Sequence, residues 1–220
     1  RLLVLLEPGV PQGRLVALLE KFGFDAPESF VIDPRSVQFA LAGGNELTPF
    51  VSKYGIHAIT KQMRGLATMF PTARRVSAKS DPGRGISSEI LAKTGPGSFT
   101  VGGIAVEGKQ VSYDLKTKKD GPVPLGAAVT VDLGKYLAKT GKKGGKKSAG
   151  GGDKSASAPP SGKTSSGKKS KNAKPGEARI VVFGDADFAS NAYIGAQGNG
   201  NLAFNAVNWL SGEKALVTIR

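Results

Sequence analysis

Apolar residues along this chain come in short blocks separated by glycine, proline and charge. Leu2-Leu3-Val4-Leu5-Leu6, closed by Glu7-Pro8-Gly9, predicts a buried strand and a turn. After Pro11, Leu15, Leu18, Leu19 and Phe22 recur at helical spacing and Gly23 stands where such a helix ends. Val31-Ile32 before Asp33-Pro34 predicts a second, short strand, because a residue before proline favours extended backbone. Phe39 to Pro49 reads as loop, Lys61 to Phe70 as helix, and Ser87 to Thr94 and Leu125 to Val131 as strands or short helices.

The later pattern is sharper. Arg179-Ile180-Val181-Val182-Phe183 predicts a central strand of a sheet covered on both faces. Gly184 to Phe188 turns it into a short helix, Asn201 to Leu210 predicts a second helix ending at Ser211-Gly212, and Leu216 to Ile219 a last strand. Strands alternating with helices predict an α/β fold with a largely parallel, Rossmann-like sheet and helices on both faces.

Charge divides this picture in two. Residues 134–176 hold twelve of the 31 basic residues and one of the 17 acids, so they carry +11 of the formal +14. The remainder carries only +3. Such a Lys/Gly/Ser-rich stretch has too little apolar surface to offset an ordering cost of roughly 1–2 kcal/mol per residue, so it is expected to be a disordered insertion. Closing it in place of a short turn costs only about 2 kcal/mol. Residues 1–133 and 177–220 are then expected to form a single α/β domain.

The chain has no cysteine and one histidine, His57. A disulfide, a thiolate nucleophile and a cysteine metal site are thereby excluded, and a histidine-built zinc site is disfavoured. No stretch approaches the ~20 consecutive apolar residues of a membrane span. The opening at Arg1 carries neither an initiator Met nor a signal-peptide pattern, and reads as the start of a fragment of a larger protein.

Asp185 and Asp187 follow a buried strand, where open α/β sheets place ligand sites. Two readings stand. The pair could hold Mg²⁺ for a metal-dependent hydrolase, although Gly184 intervenes after the strand. Alternatively, Asp187 caps the short helix and Asp185 fixes the turn. Asn201, Asn205 and Asn208 share one helical face, either as a binding stripe or as a cap and ties to loops. On the same helix Ala203, Ala206, Val207 and Leu210 read as core, and Phe204 and Trp209 as packing residues. His57 reads as structural. Gly95-Pro96-Gly97 and Gly102-Gly103 lack the spacing and trailing lysine of a phosphate loop, and no cofactor is expected.

The blocks Val182 to Asn191, Gly198-Asn199 and Asn201 to Gly212 resemble the C-terminal signature of the auxiliary, gliding-motility-type component of ABC transport systems. Val31-Ile32-Asp33-Pro34, Tyr54 to Thr60, Phe70 to Arg74, Gly121-Pro122 and Leu125 to Val129 match family landmarks in order, with Ala58 where the family usually has proline. The resemblance implies a fold related to class I glutamine amidotransferases. It also implies a domain held on the extracytoplasmic, periplasmic side by membrane segments outside this fragment. Amidotransferase activity needs a cysteine this chain lacks, so no activity comes with the fold.

The expected function is a non-catalytic accessory domain whose partner is the permease and ATPase complex or an envelope protein. Candidate contact residues are His57, Asp185, Asp187, Asn191, Asn201, Asn205 and Asn208. The lysine-rich segment is expected to meet anionic surfaces, and a third reading makes the chain an anionic-polymer or nucleic-acid binder through that segment. Nucleic acid is disfavoured there, because Tyr136 alone is available for base stacking.

Overall fold

The computed structural model describes residues 1–83, 85–107, 110–140 and 176–212. Its centre is a five-stranded sheet of β1 (Leu2–Leu5), β5 (Lys53–Tyr54), β8 (Ile86–Lys93), β13 (Pro124–Asp132) and β14 (Glu177–Phe183), in the order β1-β14-β13-β8-β5. Only β1 and β14 run parallel, in register from Leu2 opposite Ile180 to Leu5 opposite Phe183. The other three pairings are antiparallel.

The largely parallel, Rossmann-like sheet expected from the sequence, and with it the amidotransferase-like architecture, is therefore not formed. β1 and β14, continuous in apolar residues, pair in parallel, but β13, buried from Leu125 to Val129, pairs antiparallel with both its neighbours, so burial alone does not set strand direction. Such apolar continuity does not extend to β8, where exposed and half-buried positions alternate over much of its length. Nor does the chain supply the crossover helices that parallel strands need. Between β8 and β13 it builds strands instead: β9 (Phe99–Val101), β10 (Ile104–Glu107), β11 (Gln110–Tyr113) and β12 (Lys119–Asp120). β9 pairs antiparallel with β12 and with β3 (Phe30–Ile32), and β10 with β11. Two smaller antiparallel pairs join β2 (Phe24–Asp25) to β7 (Ser77–Ala78) and β4 (Phe50–Val51) to β6 (Thr68–Met69).

Helices pack on both faces of the central sheet. The period of two along β14 sends Val181 and Phe183 into one core with Leu202, Ala206 and Leu210 of α3 (Asn199–Ser211). Ile180 and Val182 enter the other core, with Leu19 of α1 (Gly13–Glu20). α1 is capped at Lys21 and the chain turns away at Gly23 (φ +88°), whereas α3 is capped by Gly212 itself (φ +85°); both glycines hold left-handed positions that favour glycine.

The helix expected over Lys61 to Phe70 is absent. Single turns closed by Met63 N to Thr60 O and Leu66 N to Met63 O give way to a positive φ at Gly65 and then to β6. α2 (Leu133–Thr140) covers the first residues of the lysine-rich stretch. Asp132 Oδ1 accepts from Lys135 N at 3.1 Å at its start, and Tyr136 stacks on Phe22 with ring centroids 6.0 Å apart. The remainder of that stretch, 141–175, and the expected strand at 216–219 lie outside the described residues.

Candidate functional site

The parallel pair brings together residues far apart in the chain. Leu6 N donates to Phe183 O at 2.9 Å, so Glu7 after β1 meets Asp185 after β14 at the carboxyl ends of both strands. Gly184 is required between strand and acid. An added Cβ would stand 2.0 Å from the Arg74 carbonyl oxygen, because Arg74 N donates to Gly184 O there.

Asp185 is fully buried. Its Oδ1 accepts from Asp187 N at 2.7 Å and Phe188 N at 3.3 Å, and so caps the 3₁₀ turn Asp187–Ala189. Capping, expected of Asp187, is done by Asp185, and Asp187 is exposed. Glu7 Oε1 accepts from Ala186 N, which secures the same turn from the neighbouring strand.

Among the described residues the buried Asp185 Oδ2 has no hydrogen-bond partner. Burial, then the charge of Glu7, pushes the Asp185 carboxyl up to about 8 against the pull of the two backbone N–H groups. Burial raises Glu7 as well. Glu7, Asp185 and Asp187 each offer an oxygen within 4.8 Å of the others. Such an all-oxygen set holds a proton near neutral pH, and once deprotonated it suits a hard divalent cation.

The amides of α3 do different work from one another. Asn205 Nδ2 donates to Ile59 O at 3.0 Å and lies 4.0 Å from Met63 Sδ, tying the helix to the turns before β6. Asn201 and Asn208 are half-buried, and Asn191 is exposed in the turns between the 3₁₀ segment and α3. Asn199, outside the expected stripe, is the most engaged. Fully buried, it accepts from Met69 N at 2.9 Å through Oδ1 and donates through Nδ2 to Met69 O at 3.0 Å and Phe188 O at 3.1 Å. It pairs with β6 as another strand would. Placing the helix start at Asn201 hid it, although Gly198-Asn199 stood in the family signature.

Sequence reasoning also passed over Arg74. Its buried guanidinium meets Glu28 at 2.9 Å and donates to Ala26 O at 2.6 Å. Phe204 and Val207, read as packing and core residues, are exposed by 61% and 49%; the buried side of α3 is Leu202, Ala206 and Leu210.

His57 is remote from the acidic corner in its contacts. Its ring meets Trp209 edge-on at 4.8 Å, and Nδ1 accepts from Ile59 N at 3.2 Å. Arg179 lies over the other partner of this stack, 4.9 Å from the Trp209 ring, and donates to Trp209 O at 2.6 Å. Burial, then the Arg179 charge, lowers the His57 pKa. A neutral imidazole serving as acceptor fits a tie between loop and helix.

Fold and site define a mixed α/β domain in which three of the polar residues singled out by the sequence, His57, Asp185 and Asn205, hold backbone in place, with one carboxylate corner left under-satisfied. No helix among the described residues is long and apolar enough to cross a membrane. The chain belongs to the family described as an ABC-type uncharacterized transport system, which matches residues 6–212, and is an auxiliary component of such a system. A solved structure titled "mmIFT52 N-terminal domain" is similar in fold, with a TM-score of 0.51 at 13% identity. The alignment covers 95% of this chain and 64% of that one, so this chain spans less than two thirds of its length. No curated protein matches the chain in sequence.

Proposed function

We propose that this domain is a non-catalytic accessory module on the extracytoplasmic side of an ABC transport system, where it binds the permease and ATPase complex or an envelope protein. The observation that carries this reading is how three of the candidate contact residues are engaged. Asp185 Oδ1, Asn205 Nδ2 and His57 Nδ1 each hold main-chain atoms of a neighbouring turn. Groups so committed position loops, whereas acid-base catalysis needs them within reach of a substrate proton.

The second reading, a metal-dependent hydrolase, is favoured by the convergence of Glu7, Asp185 and Asp187. One experiment separates the two. The purified chain, assayed with phosphate esters, nucleotides and glutamine in the presence of Mg²⁺, is expected to show no turnover, and the full-length protein is expected to co-purify with the permease and ATPase. Turnover that disappears in Asp185→Asn would install the hydrolase in its place.

The lysine-rich segment adds a separate contact in this proposal. Ten lysines fall within 141–175, and each one near an anionic membrane contributes about 1 kcal/mol of attraction. Because α2 packs through Tyr136, the informative deletion removes 141–175 and spares 134–140. The shortened chain is expected to melt as the parent does and to lose salt-sensitive binding to vesicles containing anionic lipid. Unchanged vesicle binding would reduce the segment to a spacer.

A further inference from the structure

At the edge of the central sheet, Lys53 of β5 stands directly opposite Lys93 of β8. Direct antiparallel partners project from the same face, and like charges in that position destabilise the pair. Both side chains line one cleft of about 350 Å³ together with Arg35, which follows the buried cap Asp33. Among the described residues none of these three cations forms an ion pair.

The acid lining this cleft is Asp33, buried and accepting from Arg35 N at 3.2 Å. Three cations against one acid leave the cleft at +2. Among the described residues the Arg35 guanidinium is held only by a long bond from Nη1 to Pro96 O at 3.4 Å, and a Cβ on Gly95 would stand 3.0 Å from the same nitrogen. Phe39 and Phe50 line the same cleft, their rings stacked with centroids 4.6 Å apart, and Phe39 remains 42% exposed. An edge strand that places two lysines face to face, beside an arginine with its fork nearly free and an open aromatic ring, is arranged for something negative with an apolar face.

We propose that this cleft binds a phosphomonoester, its phosphoryl oxygens between Arg35, Lys53 and Lys93 and its organic part against Phe39. The charge of such a group near neutral pH, about −1.5 to −2, matches the surplus in the cleft. Guanidinium recognises its oxygens in bidentate fashion while the lysines act as point charges. The site is distinct from the acidic corner and does not depend on the accessory-module reading.

Phenyl phosphate, inorganic phosphate and benzoate are the probes, titrated against the 220-residue chain by calorimetry or by shifts in its NMR spectrum. Phenyl phosphate is expected to bind best, inorganic phosphate less well for want of the ring, and benzoate least. Lys53→Gln with Lys93→Gln is expected to weaken phenyl phosphate at least tenfold. The lysine-rich segment is common to both chains, so its diffuse attraction cancels in the comparison. Lys53→Glu supplies a second measure. By replacing repulsion with a cross-strand ion pair it is expected to raise the melting temperature of the free chain while abolishing binding. Affinity within threefold of the parent in either variant overturns the proposal, as does the lack of saturable binding by any phosphate probe to the parent.

Discussion

Replacing Asp185 by Asn is expected to stabilise the chain at pH 8 and to flatten its dependence of stability on pH. A carboxyl whose folded pKa is raised from 3.8 to about 8 favours the folded state fully only below its unfolded value. That contribution is lost as pH rises through the folded value, so the wild type should weaken steadily between about pH 4 and pH 8. At about 1.4 kcal/mol per unit, a shift of this size sets an upper bound of about 6 kcal/mol. Asparagine keeps the acceptor that caps the 3₁₀ turn and puts an N–H donor where Oδ2 has no partner, beside Glu7.

Urea melts at pH 4 and pH 8 should therefore show the variant within about 1 kcal/mol of wild type at the lower pH and about 2–5 kcal/mol above it at the higher. Two profiles that run parallel would remove the buried carboxyl from the account. Should wild type gain stability from Mg²⁺ or Ca²⁺ at pH 8 while the variant ignores both ions, the corner belongs to a cation instead.

Asn199→Ala carries the second large effect, in the opposite direction. The substitution strips Met69 N, Met69 O and Phe188 O of a buried partner at one stroke. Each buried group left unsatisfied costs about 1–3 kcal/mol, so a loss of about 3 kcal/mol or more is expected. Asn205→Ala, which frees Ile59 O and loses the weak contact with Met63 Sδ, should cost about 1 kcal/mol. Equal losses in the two variants would mean that the strand-like pairing of Asn199 with β6 does not hold the start of α3. Asn199→Asp is a useful companion, because it keeps the acceptor toward Met69 N and deletes both donors.

Much of the framework was legible in local text. Leu2 to Leu5, Ile180 to Phe183 and the segments around Ser87 and Leu125 are strands because short apolar and β-branched runs have few other stable options. α1 and α3 follow from helical spacing closed by Gly23 and Gly212. The family was readable from motif order, and residues 6–212 match it. The direction of the strands was not readable. Whether β13 runs with or against β14 depends on how the intervening chain returns, and no residue within either strand encodes that.

The same division runs through the site. Local sequence determined that an acid would follow Gly184 and that amides would line α3, since turn and helix periodicity are set over a few residues. Only the tertiary structure decided what those groups do. The parallel pairing of β1 with β14 brings Glu7, about 180 positions away, against Asp185, and the burial that follows turns an ordinary turn-forming aspartate into a carboxyl pushed up to about 8. Register alone sets Lys53 opposite Lys93. Burial and long-range pairing are properties of the packed chain, and electrostatics depends on distance in space, so composition and spacing had no access to either.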